Sequence, residues 1–174
     1  MSLTQRTFSI ATSFVAAAVF ITGCTTTTPS SVDHTGARTA AVEARSAEDR
    51  ARDNARNPAA TLAFFQVEPG MTVAEGLPGG GWYTRILADY LGAEGTLYGV
   101  NYADRMWKMF SWANPEWIAT RMAGVAKFPG LVAGFTDNGI NERGIAFENV
   151  PADVNGTVDR VLMIRALHNL NRFE

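Results

Sequence analysis

The chain has 174 residues, 47% of them hydrophobic and 18% charged, and its 15 Lys and Arg against 17 Asp and Glu leave a formal charge of −2. This is the composition of one globular domain, and it excludes collagen-like, coiled-coil and wholly disordered chains, each of which needs a bias absent here. A near-neutral balance also gives no electrostatic reason for a nucleic-acid partner. The single cysteine, Cys24, can close no internal disulfide.

Arg6 precedes a mostly apolar run over 8–21, and Ile21-Thr22-Gly23-Cys24 follows, the layout of an export signal. The run is about 14 residues, short of the roughly 20 that a membrane-crossing helix needs. No permanent transmembrane span is expected from it. Its ending resembles a bacterial lipobox. That resemblance implies removal of a signal peptide over 1–23, diacylation of Cys24 and a lipid anchor on the periplasmic side of the cell envelope. Thr25 after the cysteine resembles lipoproteins sorted to an outer membrane. The alternative for Cys24 is a buried structural cysteine. Residues 24–45 are rich in Thr, Ser and Ala with no periodic apolar face, and they read as a flexible tether. His34 lies in that tether and is given no role.

The folded domain is expected over 46–174. Ser46 offers an N-cap with Glu48 and Asp49 in the first turn, and Asn57-Pro58 looks like a second helix start. Residues 46–65 thus read as two short helices or one broken one. Glu68-Pro69-Gly70 turns into a strand over 71–75. An amphipathic helix follows over 82–91, with Ile86, Leu87, Tyr90 and Leu91 on one face and Gly92 as its stop. A second strand spans 96–101, so this unit is best solved by two parallel strands and a crossover helix. Residues 104–112 and 115–126 read as helical, the second capped by Asn114. Their many Trp, Met and Phe side chains are expected in the core, with an aromatic substrate wall as the alternative. Residues 128–141 read as a Gly- and Asn-rich loop, 144–148 as a third strand and 158–164 as a fourth.

The chemistry-bearing segment is Glu75-Gly76-Leu77-Pro78-Gly79-Gly80-Gly81. Consecutive glycines between a strand and a helix let a ligand approach the backbone, and the helix start behind them supplies N–H groups and a positive dipole end. Dinucleotides use G-x-G-x-x-G there, whereas S-adenosylmethionine sets its methionine part beside the loop and uses an acid ending the strand. Thr84 stands where a dinucleotide loop has its third glycine, and Glu75 supplies the acid. Both favour the methyl donor over a nucleotide-cofactor oxidoreductase.

With these residues the sequence resembles the class I S-adenosylmethionine-dependent methyltransferases, and among them a group of exported bacterial predicted methyltransferases. The resemblance covers roughly 46–174. It is carried by Arg52-Asp53-Asn54-Ala55-Arg56-Asn57-Pro58, Pro69-Gly70-Met71-Thr72-Val73-Ala74-Glu75, Pro78-Gly79-Gly80-Gly81-Trp82-Tyr83-Thr84 and the stretch from Val158 through His168 to Leu170. It implies an α/β fold, the Rossmann-like three-layer sandwich, of which about the first four strands are present. It further implies that Glu75, Pro78, Gly79, Gly80 and Gly81 hold S-adenosylmethionine. Leu77 replaces the first glycine of the motif, and Asn101 stands where the family has a ribose-binding acid. Asn there can accept one hydrogen bond and donate another without the charge-assisted part.

The function expected is methyl transfer to a small-molecule acceptor by a membrane-tethered enzyme, with His168 as candidate general base. No metal-ligand cluster stands out in the sequence, and no metal is expected. The rival is a non-catalytic envelope lipoprotein on a degenerate methyltransferase fold, which Leu77 and Asn101 favour. A complete family domain has seven strands, so the chain reads as ending early, with an open sheet edge and marginal stability or self-association as the expected consequence.

Overall fold

The computed structural model describes residues 32–173. The expected signal peptide, Cys24 and the first part of the tether lie outside the described residues. From Asp33 onward the chain forms one unit. In chain order it comprises α1 (Thr35–Glu43), α2 (Ala47–Arg50), α3 (Asp53–Arg56), α4 (Pro58–Phe64), β1 (Thr72–Gly76), α5 (Trp82–Leu91), β2 (Thr96–Asn101), α6 (Asp104–Trp107), α7 (Pro115–Arg121), α8 (Gly124–Ala133), β3 (Asn141–Ala146) and β4 (Arg160–Leu162). Among the described residues no helix is long and apolar enough to cross a membrane.

The sheet is all parallel, in the order β3-β2-β1-β4. This α/β arrangement is compatible with a Rossmann-like fold, whose first four strands have the same order. Register puts Val73, Glu75, Leu97, Gly99, Gly144 and Leu162 in line on one face. On that face Val73, Leu97 and Leu162 are buried with Ile86, Leu87 and Leu91 of α5 and Phe128 and Val132 of α8. The other face is more open: Tyr98 and Val100 are half-buried, and Val161 on edge strand β4 is 65% exposed. Asp159 staples that edge, because its carboxylate accepts from the Thr72 N–H at 2.8 Å and its own N–H donates to the Thr72 carbonyl at 2.9 Å.

The β1-α5-β2 unit matches the sequence reading to within a residue. Gly81, left-handed at φ 80°, and Gly92, at φ 69° with an extended ψ of −174°, bracket α5, so both ends of the helix are set by residues without a Cβ. Ser46 caps α2 as expected, accepting from the Asp49 N–H at 3.2 Å. Between Ser46 and Phe65 the chain makes three short helices, because Asn57 takes a left-handed conformation at φ 47° that ends α3 before Pro58 opens α4.

Two expectations are corrected. The tether assigned to 24–45 is helical from Thr35 to Glu43, and α1 packs on α4 and α5. Ala41 is buried in the core and Arg38 donates to the Tyr90 hydroxyl at 3.2 Å, so the helix is held by its neighbours although its own apolar face is weak. The 128–141 loop is likewise half helix. Helix α7 stops at Arg121, Ala123 is left-handed at φ 58° with its N–H held by the Asp104 carboxylate at 2.7 Å, and α8 then runs through Pro129. A Cβ on Gly99 would run into the Phe128 ring, and one on Gly144 into the Val125 carbonyl. These two strand glycines admit α8 to the sheet. The remaining bounds differ more modestly: α6 ends at Trp107, β3 runs over 141–146 and β4 over 160–162.

Candidate functional site

Strand β1 ends in Glu75 and Gly76, and the loop 77–81 carries the chain from the sheet's carboxyl edge into α5. Leu77 occupies the left-handed region at φ 55°, as do Gly79 at 61° and Gly81 at 80°. Leu77 N–H donates to the Val100 carbonyl at 2.8 Å, which ties the loop to β2. The strain of a leucine there is offset by packing against the aromatic cluster of Tyr102, Trp107 and Phe110.

A cavity of about 640 Å³ opens at this edge. Its floor is Glu75, Gly76, Leu77, Pro78 and Gly80, and the segment after β4, Ile164 to Ala166, closes one side. In a parallel sheet of this order the crevice between β1 and β4 is where the connections diverge to opposite sides, and ligands bind outside the strand ends there. The volume lies in the range of small-molecule sites.

Glu75 is 6% exposed and accepts from the Thr84 hydroxyl at 2.6 Å. Burial pushes its carboxyl up to about 7, and the Thr84 hydrogen bond offsets part of that rise. Thr84, one turn into α5, is therefore the partner of the acid as well as a departure from the dinucleotide pattern. A carboxyl so poised can take up a proton near neutrality or, ionised, answer a ligand cation.

The rest of the wall comes from distant segments. Trp82 donates from Nε1 to the Asp49 carbonyl at 2.9 Å, and the Arg45 and Arg56 guanidinium carbons lie 4.7 and 4.3 Å from its ring centre. Asp49 also pairs with Arg85. Tyr83 donates to the Arg56 carbonyl at 3.3 Å, so α5 positions Arg56 at the cavity. The aromatic stretch contributes Trp107, Phe110, Trp112 and Trp117 to the cavity wall; Trp107 and Phe110 are also buried in a hydrophobic cluster, as expected of core residues. Trp107 Nε1 and Arg121 Nε are buried without a hydrogen-bond partner among the described residues.

The expected site residues separate into groups. Glu75, Pro78 and Gly80 line the large cavity together. Asn101 is buried at the end of β2 and lines a neighbouring cavity of about 200 Å³ with Pro78, Gly79 and Gly124. The two cavities share Leu77, Pro78, Trp107 and Arg121. Gly81 lines neither: a Cβ on it would stand 2.6 Å from the Phe135 ring, so its role is packing and the left-handed entry to α5. His168 is exposed in the 3-10 segment Leu167–Phe173 and lines neither cavity, while its neighbours Ala166 and Asn169 do. Sequence reasoning gave no site role to Arg52, Arg56, Arg121 or Arg165. The only local signal was the Arg52-x-x-x-Arg56 spacing ahead of Asn57-Pro58.

Fold and site together define an α/β protein with a ligand-sized cavity at the carboxyl ends of β1 and β4. No protein-family model matches the chain, and no curated protein matches it.

Proposed function

We propose that the chain is a class I S-adenosylmethionine-dependent methyltransferase acting on a small-molecule acceptor, with the three-layer sandwich of that class. The observation that carries this reading is the buried Glu75 at the end of β1, set beside a glycine cradle at the sheet's switch point. The residues present fit the cofactor. A Cβ on Gly80 would meet nothing within 4 Å, so the cradle is open on its cavity side. Glu75, ionised, would take the ligand's ammonium, the backbone at Pro78 and Gly80 would lie along its methionine part, and Asn101 would hydrogen-bond a ribose hydroxyl. When bound, the cofactor supplies an electrophilic methyl group on a sulfonium. What this chain's own residues contribute is position: Glu75 and the loop fix the methyl donor, and the aromatic wall orients the acceptor.

Calorimetric titration of S-adenosylmethionine into the full-length protein tests this. Saturable binding is expected for wild type and its loss for Gly80→Val, a substitution the fold accommodates. Binding that survives in Gly80→Val, or none in a folded wild-type sample, would reject the reading.

We further propose that Cys24 anchors the protein by lipid to the cell envelope. Labelled palmitate should enter wild type and not Cys24→Ser; equal labelling of the two ends the claim. Leu77, which fills the place of the motif's first glycine, supports the second reading, a non-catalytic lipoprotein on the same fold. Methyl-donor binding without turnover of any acceptor would be its signature.

A further inference from the structure

Four arginines border the large cavity: Arg52, Arg56, Arg121 and Arg165. Among the described residues none of them is in an ion pair; Arg56 lies 4.3 Å over the Trp82 ring and Arg121 4.9 Å over the Trp117 ring, contacts that leave the guanidinium N–H groups without an anion. The acids on the same wall do little to compensate. Asp49 is engaged by Arg85, Glu75 is buried under Thr84, and only exposed Glu48 remains. Burial first, then the charges of Arg52 and Arg165, press the Arg56 pKa below its ordinary value, so these three cations feel one another. Arg165 also holds a left-handed backbone at φ 58°, a conformation unfavourable for a residue with a Cβ.

The same cavity is lined by all four tryptophans of the chain, Trp82, Trp107, Trp112 and Trp117. Trp112 is 60% exposed, a large apolar surface left open to solvent at the cavity. A wall that joins unpaired guanidinium forks to indole rings selects for two properties in one ligand. The forks match carboxylate or phosphate oxygens two at a time, and the rings offer stacking area.

We infer that this cavity binds an anionic small molecule with an aromatic body, an aryl carboxylate or aryl phosphate, whose anion is held by Arg52, Arg56 and Arg165 and whose ring stacks on the tryptophans. As a statement of what binds, this stands on the cavity alone. As the identity of the methyl acceptor, it rests on the function proposed above.

The test is calorimetric titration of the full-length protein with 2-naphthoate, its neutral isostere 2-naphthamide, and inorganic phosphate. Naphthoate is expected to bind saturably and at least tenfold more tightly than either of the others. Arg56→Gln and Arg165→Gln should each weaken naphthoate about tenfold, leave naphthamide unchanged and keep the wild-type melting midpoint. Naphthamide or phosphate binding as tightly as naphthoate would overturn the inference. So would variants that bind naphthoate like wild type, or a folded wild type that binds none. The wild-type comparison of the three probes decides the matter even if a variant fails to fold. S-adenosylmethionine titrated in parallel separates the two ideas: its binding without naphthoate preference removes this inference alone, and naphthoate preference without it removes the methyltransferase reading alone.

Discussion

Gly144→Ala is expected to destabilise the fold by about 3 kcal/mol, a large effect for one methyl group. Gly144 pairs with Gly99 across β3 and β2, and both lie beneath α8. A Cβ at 144 would overlap the Val125 carbonyl, which is backbone and cannot rotate aside as a side-chain tip can. That carbonyl is also the one that Pro129, four residues on, has no N–H to meet, so the first turn of α8 is already short of one internal hydrogen bond. Alanine must therefore lift α8 from the sheet. The site would feel it, because α8 carries Leu131 under Gly81 and sets Gly124 against the Asn101 side chain. Gly80→Ala is the control: its Cβ meets nothing within 4 Å, and its stability should range from unchanged to about 1 kcal/mol higher. Urea denaturation of wild type and both variants measures this. A Gly144→Ala protein within about 0.5 kcal/mol of wild type would show that α8 does not press on the sheet there.

The second large effect is a pH dependence carried by Glu75. Its carboxyl is raised from 4.5 to about 7 by burial, so the folded protein keeps this proton over a range in which the unfolded chain has lost it. The sign follows directly. Stability from this group is fully present below pH 4.5, falls as pH rises toward 7 and is gone above it; the gap is worth roughly 3 kcal/mol. Glu75→Gln carries no proton to lose, so its stability should not show this fall, and the variant should outlast wild type at pH 8. Taking the difference between the two proteins in urea melts from pH 4.5 to 8 cancels every other titration. Parallel curves would mean that Glu75 is not buried as described. The proposed cofactor gives a linked result: its ammonium needs the carboxylate, so wild-type affinity relative to that of Glu75→Gln should rise as pH goes from 5 to about 7.

Legibility varied with how local the controlling physics is. Helix α5 was readable because its face repeats at helical spacing and glycines stand at both ends. The acid-loop half of the site was readable for the same reason: Glu75, Pro78 and Gly80 lie within six consecutive residues and meet at one cavity. Helix α1 was not, since the run TGARTAAVE has little apolar periodicity, and what holds it is Ala41 in the core and Arg38 on Tyr90. Helix α8 was hidden by its own Gly and Pro, whose local preference is outweighed by burying Phe128 and Val132 over Gly99 and Gly144. His168 drew attention as the only histidine of the expected folded domain, yet the chain after β4 leaves it in solvent.

By itself the sequence determined the parallel β1-α5-β2 unit and the place of an acid beside a glycine loop, because strand alternation, helix periodicity and glycine torsions act over a few residues. Only the tertiary structure decided what faces that loop. Arg52 and Arg56 come from α3 and the turn before it, Trp107 and Trp117 from α6 and α7, and Arg165 from the segment after β4. Their meeting depends on long-range closure of the sheet, which leaves no periodic trace in the chain.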